Sequence, residues 1–345
     1  MRRAAAAAVL AVLAALLAGL VLAGRDNEVE ATPERVRLDL STSKGKDAAF
    51  LRDFERSALV LGAGVDAIPA IDAPRFDSAD DAAELLQPES LVVGVEIAGD
   101  ARAYPTNLLS LHEVVNDEIG GTPVVVTWCP LCVTALAFER RLEGRELTFG
   151  VSGYLYSRNL MLFDRATGSL WSQLLGGAVT GEHRGTKLRG VPIVHETWAA
   201  WRSKHPNTRV LSFERDQFAP RFTDPGTIEG DGGESTDAPF EAYLTKVPYY
   251  YRARQGALSG AARVYGIVLR GRAKAYPLRE LRRRGVVRDE VAGVPVVIRY
   301  DDESFSAAAF ARGAQLPGTF SFWFAWRSIY PSTTVYSQPT GAVAP

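Results

Sequence analysis

Residues 92–132 read VVGVEIAGDARAYPTNLLSLHEVVNDEIGGTPVVVTWCPLC, and residues 264–304 read VYGIVLRGRAKAYPLRELRRRGVVRDEVAGVPVVIRYDDES. The two stretches align without a gap at an offset of 172. They share Gly94/Gly266, Ala103/Ala275, Tyr104/Tyr276, Pro105/Pro277, Val115/Val287, Asp117/Asp289, Gly121/Gly293 and Pro123/Pro295. A second block, WAAWRSKHPNTRVLS at 198–212, returns as WFAWRSIYPSTTVYS at 323–337, now at an offset of 125. Self-similarity of this kind marks a structural unit used twice. The fall in offset places 47 extra residues in the first copy, expected roughly within Leu147 to His195.

Periodicity gives each copy its elements. Leu91–Ile97 and Ala101–Tyr104 alternate around Gly99-Asp100, a hairpin pattern. Pro105 opens a short helix with Leu108, Leu109, His112 and Val115 on one face, stopped by Gly120-Gly121. Pro123–Trp128 reads as a buried strand. Thr134–Arg140 and Glu146–Val151 form a second hairpin around Glu143-Gly144, and Trp198–Lys204 is a short amphipathic helix. The expected fold is α+β and β-rich, with two related lobes from an internal duplication whose second copy is abbreviated.

The chain has 345 residues, 47% hydrophobic and 23% charged, which suits a globular protein. A formal net charge of -1 leaves no electrostatic footprint for nucleic acid. Met1-Arg2-Arg3 precedes an unbroken apolar run from Ala4 to Gly24, so residues 1–24 read as a signal peptide or membrane anchor. The protein is therefore expected to be exported: periplasmic, extracellular, or anchored to the outer face of the cytoplasmic membrane. Contact with a membrane is expected only through that segment. Residues 25–64 form a polar tether and lead-in, 65–212 the site-bearing lobe, 213–260 a connector and 261–345 the abbreviated lobe. The connector holds a Gly-, Asp- and Ser-rich loop at Gly226–Pro239 and the run Tyr249-Tyr250-Tyr251.

Differences between the copies separate scaffold from chemistry. His112 faces Arg284, Cys129 faces Asp301 and Cys132 faces Ser304. The extra segment that carries Met161 has no counterpart. One working site and one retired copy would give this pattern. Cys129-Pro130-Leu131-Cys132 supports three readings. The two thiols could hold a metal ion with His112, and Met161 would complete a soft donor set that suits copper before zinc. Zinc would call on Asp164 or His183. Alternatively the pair is a thiol–disulfide oxidoreductase in which Cys129 attacks and Cys132 resolves. Third, a static disulfide serves a cell-surface interaction module, although closing a two-residue loop gains little chain entropy.

The motifs IPAIDAPRF, SLHEVVND, TWCPLCVTALAF, LTFGVSGYLYSRNLMLFDR and TGSLWSQLLGGAVTG resemble domain-of-unknown-function family 3179, over about Val65 to Ser337. This is a family of largely exported or anchored bacterial and archaeal proteins without an assigned activity. The resemblance singles out His112, Cys129, Cys132, Asn159, Asp164, Ser172 and Gln173. Asn159, Asp164, Ser172 and Gln173 are expected to orient the ligands, although Asp164 sits where a turn would also favour it. The chain departs from the family pattern at Val133, where Gly is usual, and at Leu111, where Trp is usual.

Overall fold

A computed structural model describes residues 37–212 and 254–337. The leader, most of the connector, Gly226–Pro239 and the three tyrosines lie outside the described residues. After β1 (Leu59–Leu61) come β2 (Leu91–Ile97), β3 (Asp100–Pro105), α1 (Thr106–His112), β4 (Val114–Ile119), β5 (Thr122–Cys129) and β6 (Thr134–Glu139). Next are β7 (Phe149–Tyr156), β8 (Asn159–Asp164), β9 (Leu170–Ser172), β10 (Gly177–Ala178), β11 (Gly190–Val191), β12 (Val194–Thr197), α2 (Trp198–Lys204) and β13 (Arg209–Leu211). The later half runs β14 (Arg263–Leu269), β15 (Arg272–Pro277), α3 (Leu278–Arg284), β16 (Val286–Val291), β17 (Val294–Asp301) and β18 (Ser306–Ala311). It ends with β19 (Ala314–Leu316), β20 (Gly318–Phe322), α4 (Trp323–Ile329) and β21 (Thr334–Val335). Among the described residues, no helix is long and apolar enough to cross a membrane.

The strands form five main sheets, arranged like the blades of a five-bladed propeller. Sheet A runs β12-β2-β3-β13, with Phe76–Asp77 on its edge, and sheet B runs β11-β6-β5-β4. Sheet C is β1-β7-β8-β9-β10. Sheet D is β20-β14-β15-β21 and sheet E is β16-β17-β18-β19. D repeats the order of A, and E repeats that of B. The registers match too: Gly94 pairs with Ala103 as Gly266 pairs with Ala275. Val126 pairs with Ala137 as Ile298 pairs with Ala309. The parallel pairs Val210–Ala103 and Val335–Ala275 correspond. Gly190–Phe138 corresponds to Gln315–Phe310. The offset therefore changes between Arg140 and Arg189. The 47 extra residues are 141–187, several positions earlier than the sequence suggested, and they supply β7 to β10 of sheet C.

Packing explains why some residues recur. A Cβ on Gly94 would run into the ring of Trp201, and one on Gly266 into that of Trp326. Each indole N–H is taken up seven residues on, Trp201 Nε1 by Thr208 Oγ1 at 2.9 Å and Trp326 Nε1 by Thr333 Oγ1 at 3.0 Å. Tyr104 donates to Asp117 as Tyr276 donates to Asp289. Buried donors are thus satisfied the same way in both halves.

From Leu38 onward the chain is one compact unit, and the two halves interlock. Strand β12 packs on β18 of the other half, and β20 packs on β6. At each junction one backbone bond crosses: Thr197 N–H to Ser304 O at 2.9 Å, and Phe322 N–H to Cys132 O at 3.1 Å. These are matched residues in reversed roles.

Three local expectations need correction. Helix α1 ends at His112, so Val115 lies on β4 and not on the helix face. Gly120 and Gly121, both at positive φ, turn the β4–β5 hairpin instead of stopping the helix. Glu143-Gly144 does turn a hairpin, but only a short one, Arg141–Leu142 with Arg145–Glu146, and β7 then leaves for sheet C.

Candidate functional site

The Cys-x-x-Cys loop follows β5, at the end of sheet B. On β4 to β6, alternate side chains share a face. One face carries Asn116, Thr127, Cys129 and Phe138, and sheet C covers it. Asn116 donates to Phe149 O at 2.8 Å and accepts from Phe149 N at 2.9 Å. Gly176 approaches the Phe138 ring so closely that a Cβ would clash. The sulfurs therefore lie buried between two sheets. Cys129 is 1% exposed and Cys132 0%.

Both cysteines are free thiols. Cys129 Sγ donates to Arg158 O at 3.4 Å, in the β7–β8 turn, where Ser157 and Arg158 both hold positive φ. Cys132 Sγ accepts from Asn159 Nδ2 at 3.3 Å. The amide of Asn159 is held rigidly: Oδ1 accepts from Leu174 N at 3.1 Å, and Nδ2 also donates to Gln173 Oε1 at 2.7 Å. Gln173 Nε2 in turn donates to Thr127 Oγ1 and to Thr134 O, each at 3.0 Å. Every amide hydrogen of this buried relay has an acceptor, so the second hydrogen of Asn159 is committed to sulfur. Burial, then the neighbouring Cys132 and Glu113, push the Cys129 thiol well above its ordinary range.

Val133, directly after the second cysteine, has φ 53, and its counterpart Phe305 has φ 54. Left-handed backbone suits glycine and strains a β-branched residue by about 1–2 kcal/mol. The Gly that the resemblance implies at this position would meet the same backbone need without strain.

The other expected residues fall into separate groups. His112 is buried at the end of α1, with Nδ1 2.7 Å from Pro69 O. Among the described residues, no group of three or more His, Cys, Asp or Glu is placed to hold a metal ion. The expected set of His112, Cys129, Cys132 and Met161 is thus not gathered into a coordination shell. Met161 is fully buried on β8, two residues from Asn159 and paired with Ser172. Ser172 accepts from Leu175 N at 3.4 Å. Asp164 closes a turn, accepting from Thr167 N at 2.7 Å, and also receives Trp171 Nε1 at 2.9 Å. His183 lies against the Trp171 ring.

Two residues escaped the sequence reading. Glu113, the left-handed residue that ends α1, is 9% exposed, and burial pushes its carboxyl up to about 7. Its signal was present in the alignment, where Glu113 faces Gly285. His195 is buried against Trp128, Phe305 and Phe320, and burial pushes it down to about 4. It stands where the later half has Phe320, which marks it as a packing residue.

The chain belongs to the family described as protein of unknown function, DUF3179, which matches residues 65–316. No curated protein and no solved structure matches the chain.

Proposed function

We propose that Cys129 and Cys132 form a redox dithiol that exchanges with disulfides in an exported protein. The observation that carries this reading is the asymmetry of the two sulfurs. Each sulfur has a carbonyl within reach of its hydrogen, Arg158 O for Cys129 at 3.4 Å and Cys129 O for Cys132 at 3.8 Å, but among the described residues only Cys132 Sγ also receives a side-chain N–H, one that the Asn159–Gln173 relay can direct nowhere else. An N–H aimed at sulfur favours the thiolate. Cys132 is then the attacking sulfur and Cys129 the thiol that resolves, the reverse of the order expected from the sequence. The apolar leader supports delivery to a compartment where disulfides persist. Capture of copper or zinc is the weaker reading, because no third His, Cys, Asp or Glu stands ready among the described residues. The matched registers and offsets support an origin by internal duplication, with the dithiol kept in one copy only.

The test is equilibration in glutathione buffers of graded potential, with thiols counted by alkylation and mass. A reversible two-thiol, two-electron change with a midpoint above about -300 mV is expected. Thiols that resist oxidation throughout, or a disulfide with a midpoint well below that value, would sink the proposal.

A further inference from the structure

Both sulfurs touch one small piece of chain. Arg158 O meets Cys129 Sγ at 3.4 Å and Asn159 Nδ2 meets Cys132 Sγ at 3.3 Å, and these two residues are neighbours at the tip of the β7–β8 hairpin. The tip is set apart from the rest of its sheet. Tyr156 pairs with Asn159 and Leu155 with Leu160, but the next pair is Val151 with Leu162. Between these pairs β7 runs through Ser152, Gly153 and Tyr154, while β8 runs through Met161 alone. A bulge of this kind interrupts the ladder and lets its strand bend. Gly153 takes φ 76°, and its carbonyl is held by Gly62 N at 2.8 Å and Ala63 N at 3.2 Å, which fixes the point of bending.

The tip is also strained and thinly covered. Ser157 and Arg158 make a two-residue turn with φ 50° and 64°. Asn and Gly adopt that geometry readily, whereas Ser and Arg are strained in it. Tyr154, Leu155, Ser157 and Arg158 are half-buried, whereas Thr127, Thr134, Asn159 and Gln173 of the relay are fully buried. On the outside the edge strand β1 lies against the tip, with Leu59 on Tyr156, Val60 on Leu155 and Leu61 on Tyr154. Its hold is short, three residues long, and Val60 and Leu61 are 61% and 59% exposed.

We infer that residues 154–158 are a flap that swings out about Gly153 and opens the buried thiols to a disulfide, an inference that rests on the redox reading above. Opening gives up the bonds to β1 and relieves the left-handed turn. Asn159 stays behind, because its Oδ1 is tied to Leu174 N and its Nδ2 to Gln173 Oε1. The amide that faces Cys132 is kept while the carbonyl against Cys129 leaves. Closed, the flap seals the dithiol in the interior, and the rate of exchange is then set by how often it opens.

The experiment measures two rates on the full chain: alkylation of the thiols by N-ethylmaleimide, and closure of the internal disulfide by oxidised glutathione. Ser157→Asn combined with Arg158→Gly gives the turn the residues that favour its closed geometry and keeps the carbonyl of residue 158. Both rates should fall about 10-fold in this double variant, with the midpoint potential unchanged. Thr208→Val, which removes the bond to Trp201 Nε1 in sheet A and weakens the whole fold, should leave both rates at the wild-type value. A double variant that reacts as fast as wild type would overturn the flap and leave the dithiol reading intact. So would a faster reaction in Thr208→Val, because the thiols would then be reached by unfolding of the whole chain. Alkylation that slows as expected, in a chain whose bond glutathione never closes, would keep the flap and sink the dithiol reading.

Discussion

Sheets B and E share strand order and register, yet they live in different surroundings. In sheet B, Val114, Asn116, Val125, Thr127, Cys129 and Phe138 lie under sheet C. The matching face of sheet E carries Val286, Arg288, Val297, Arg299, Asp301 and Phe310, and among the described residues no counterpart of sheet C covers it. Val286 is 47% exposed, and β17 alternates buried with open positions. The replacements follow the solvent: Asn116 becomes Arg288, Thr127 becomes Arg299 and Cys129 becomes Asp301. A one-sided antiparallel sheet alternates polar with apolar, whereas a sheet covered on both faces does not. The cysteines thus depend on the 47 extra residues as much as on the loop that bears them. Without sheet C, the same strand end would meet water.

The strongest test of that contrast is a pair of truncations. Phe138→Ala should cost about 3–5 kcal/mol, because it opens a cavity between two sheets. Phe310→Ala, at the matched position on the open face, should cost about 1 kcal/mol or less. Urea unfolding measures both, and equal losses would break the distinction between covered and open faces.

Glu113 and Gly285 offer the next test. The Glu113 carboxyl is raised from 4.5 to about 7 in the folded chain. A raised carboxyl binds its proton more tightly when folded, so its contribution is full below pH 4.5 and is lost as pH rises through 7. The loss amounts to about 3 kcal/mol. Relative to Glu113→Gln, the wild type should therefore weaken between pH 4.5 and 8. A flat difference between the two proteins over that range would show that the carboxyl is not buried as described.

The smallest effect concerns sameness. Thr208→Val and Thr333→Val each remove the acceptor of a tryptophan N–H, and each should cost about 1 kcal/mol. A large inequality would show that the two Trp–Thr pairs are not equivalent.

The local fold was largely legible in the sequence. Alternation around Gly99, and the recurrence of Trp201 at Trp326, depend on neighbours a few residues away or on a second copy, whereas Gly120-Gly121 was read as a helix stop and turns a hairpin. Sheet C was not legible as a cover, because Asn116 finds Phe149 and Thr127 finds Gln173 only once distant strands have met. His112 misled for a related reason. Its place on the apolar face of α1 was read correctly, but its partner is the carbonyl of Pro69, in a segment without periodicity. Cys129, Cys132, Asn159 and Gln173 do come together, all four on strands or turns within the motifs the sequence had already marked.

The crossed backbone bonds bear on how the molecule can be divided. The carbonyl of Cys132 is held by Phe322, and Phe322 belongs to the half that has no cysteine. Ser304 is held in turn by Thr197. Neither half carries its own clasp, so the reactive loop borrows its shape from the far end of the polypeptide. A fragment ending before residue 254 would keep both sulfurs and lose the bond that tethers the second of them.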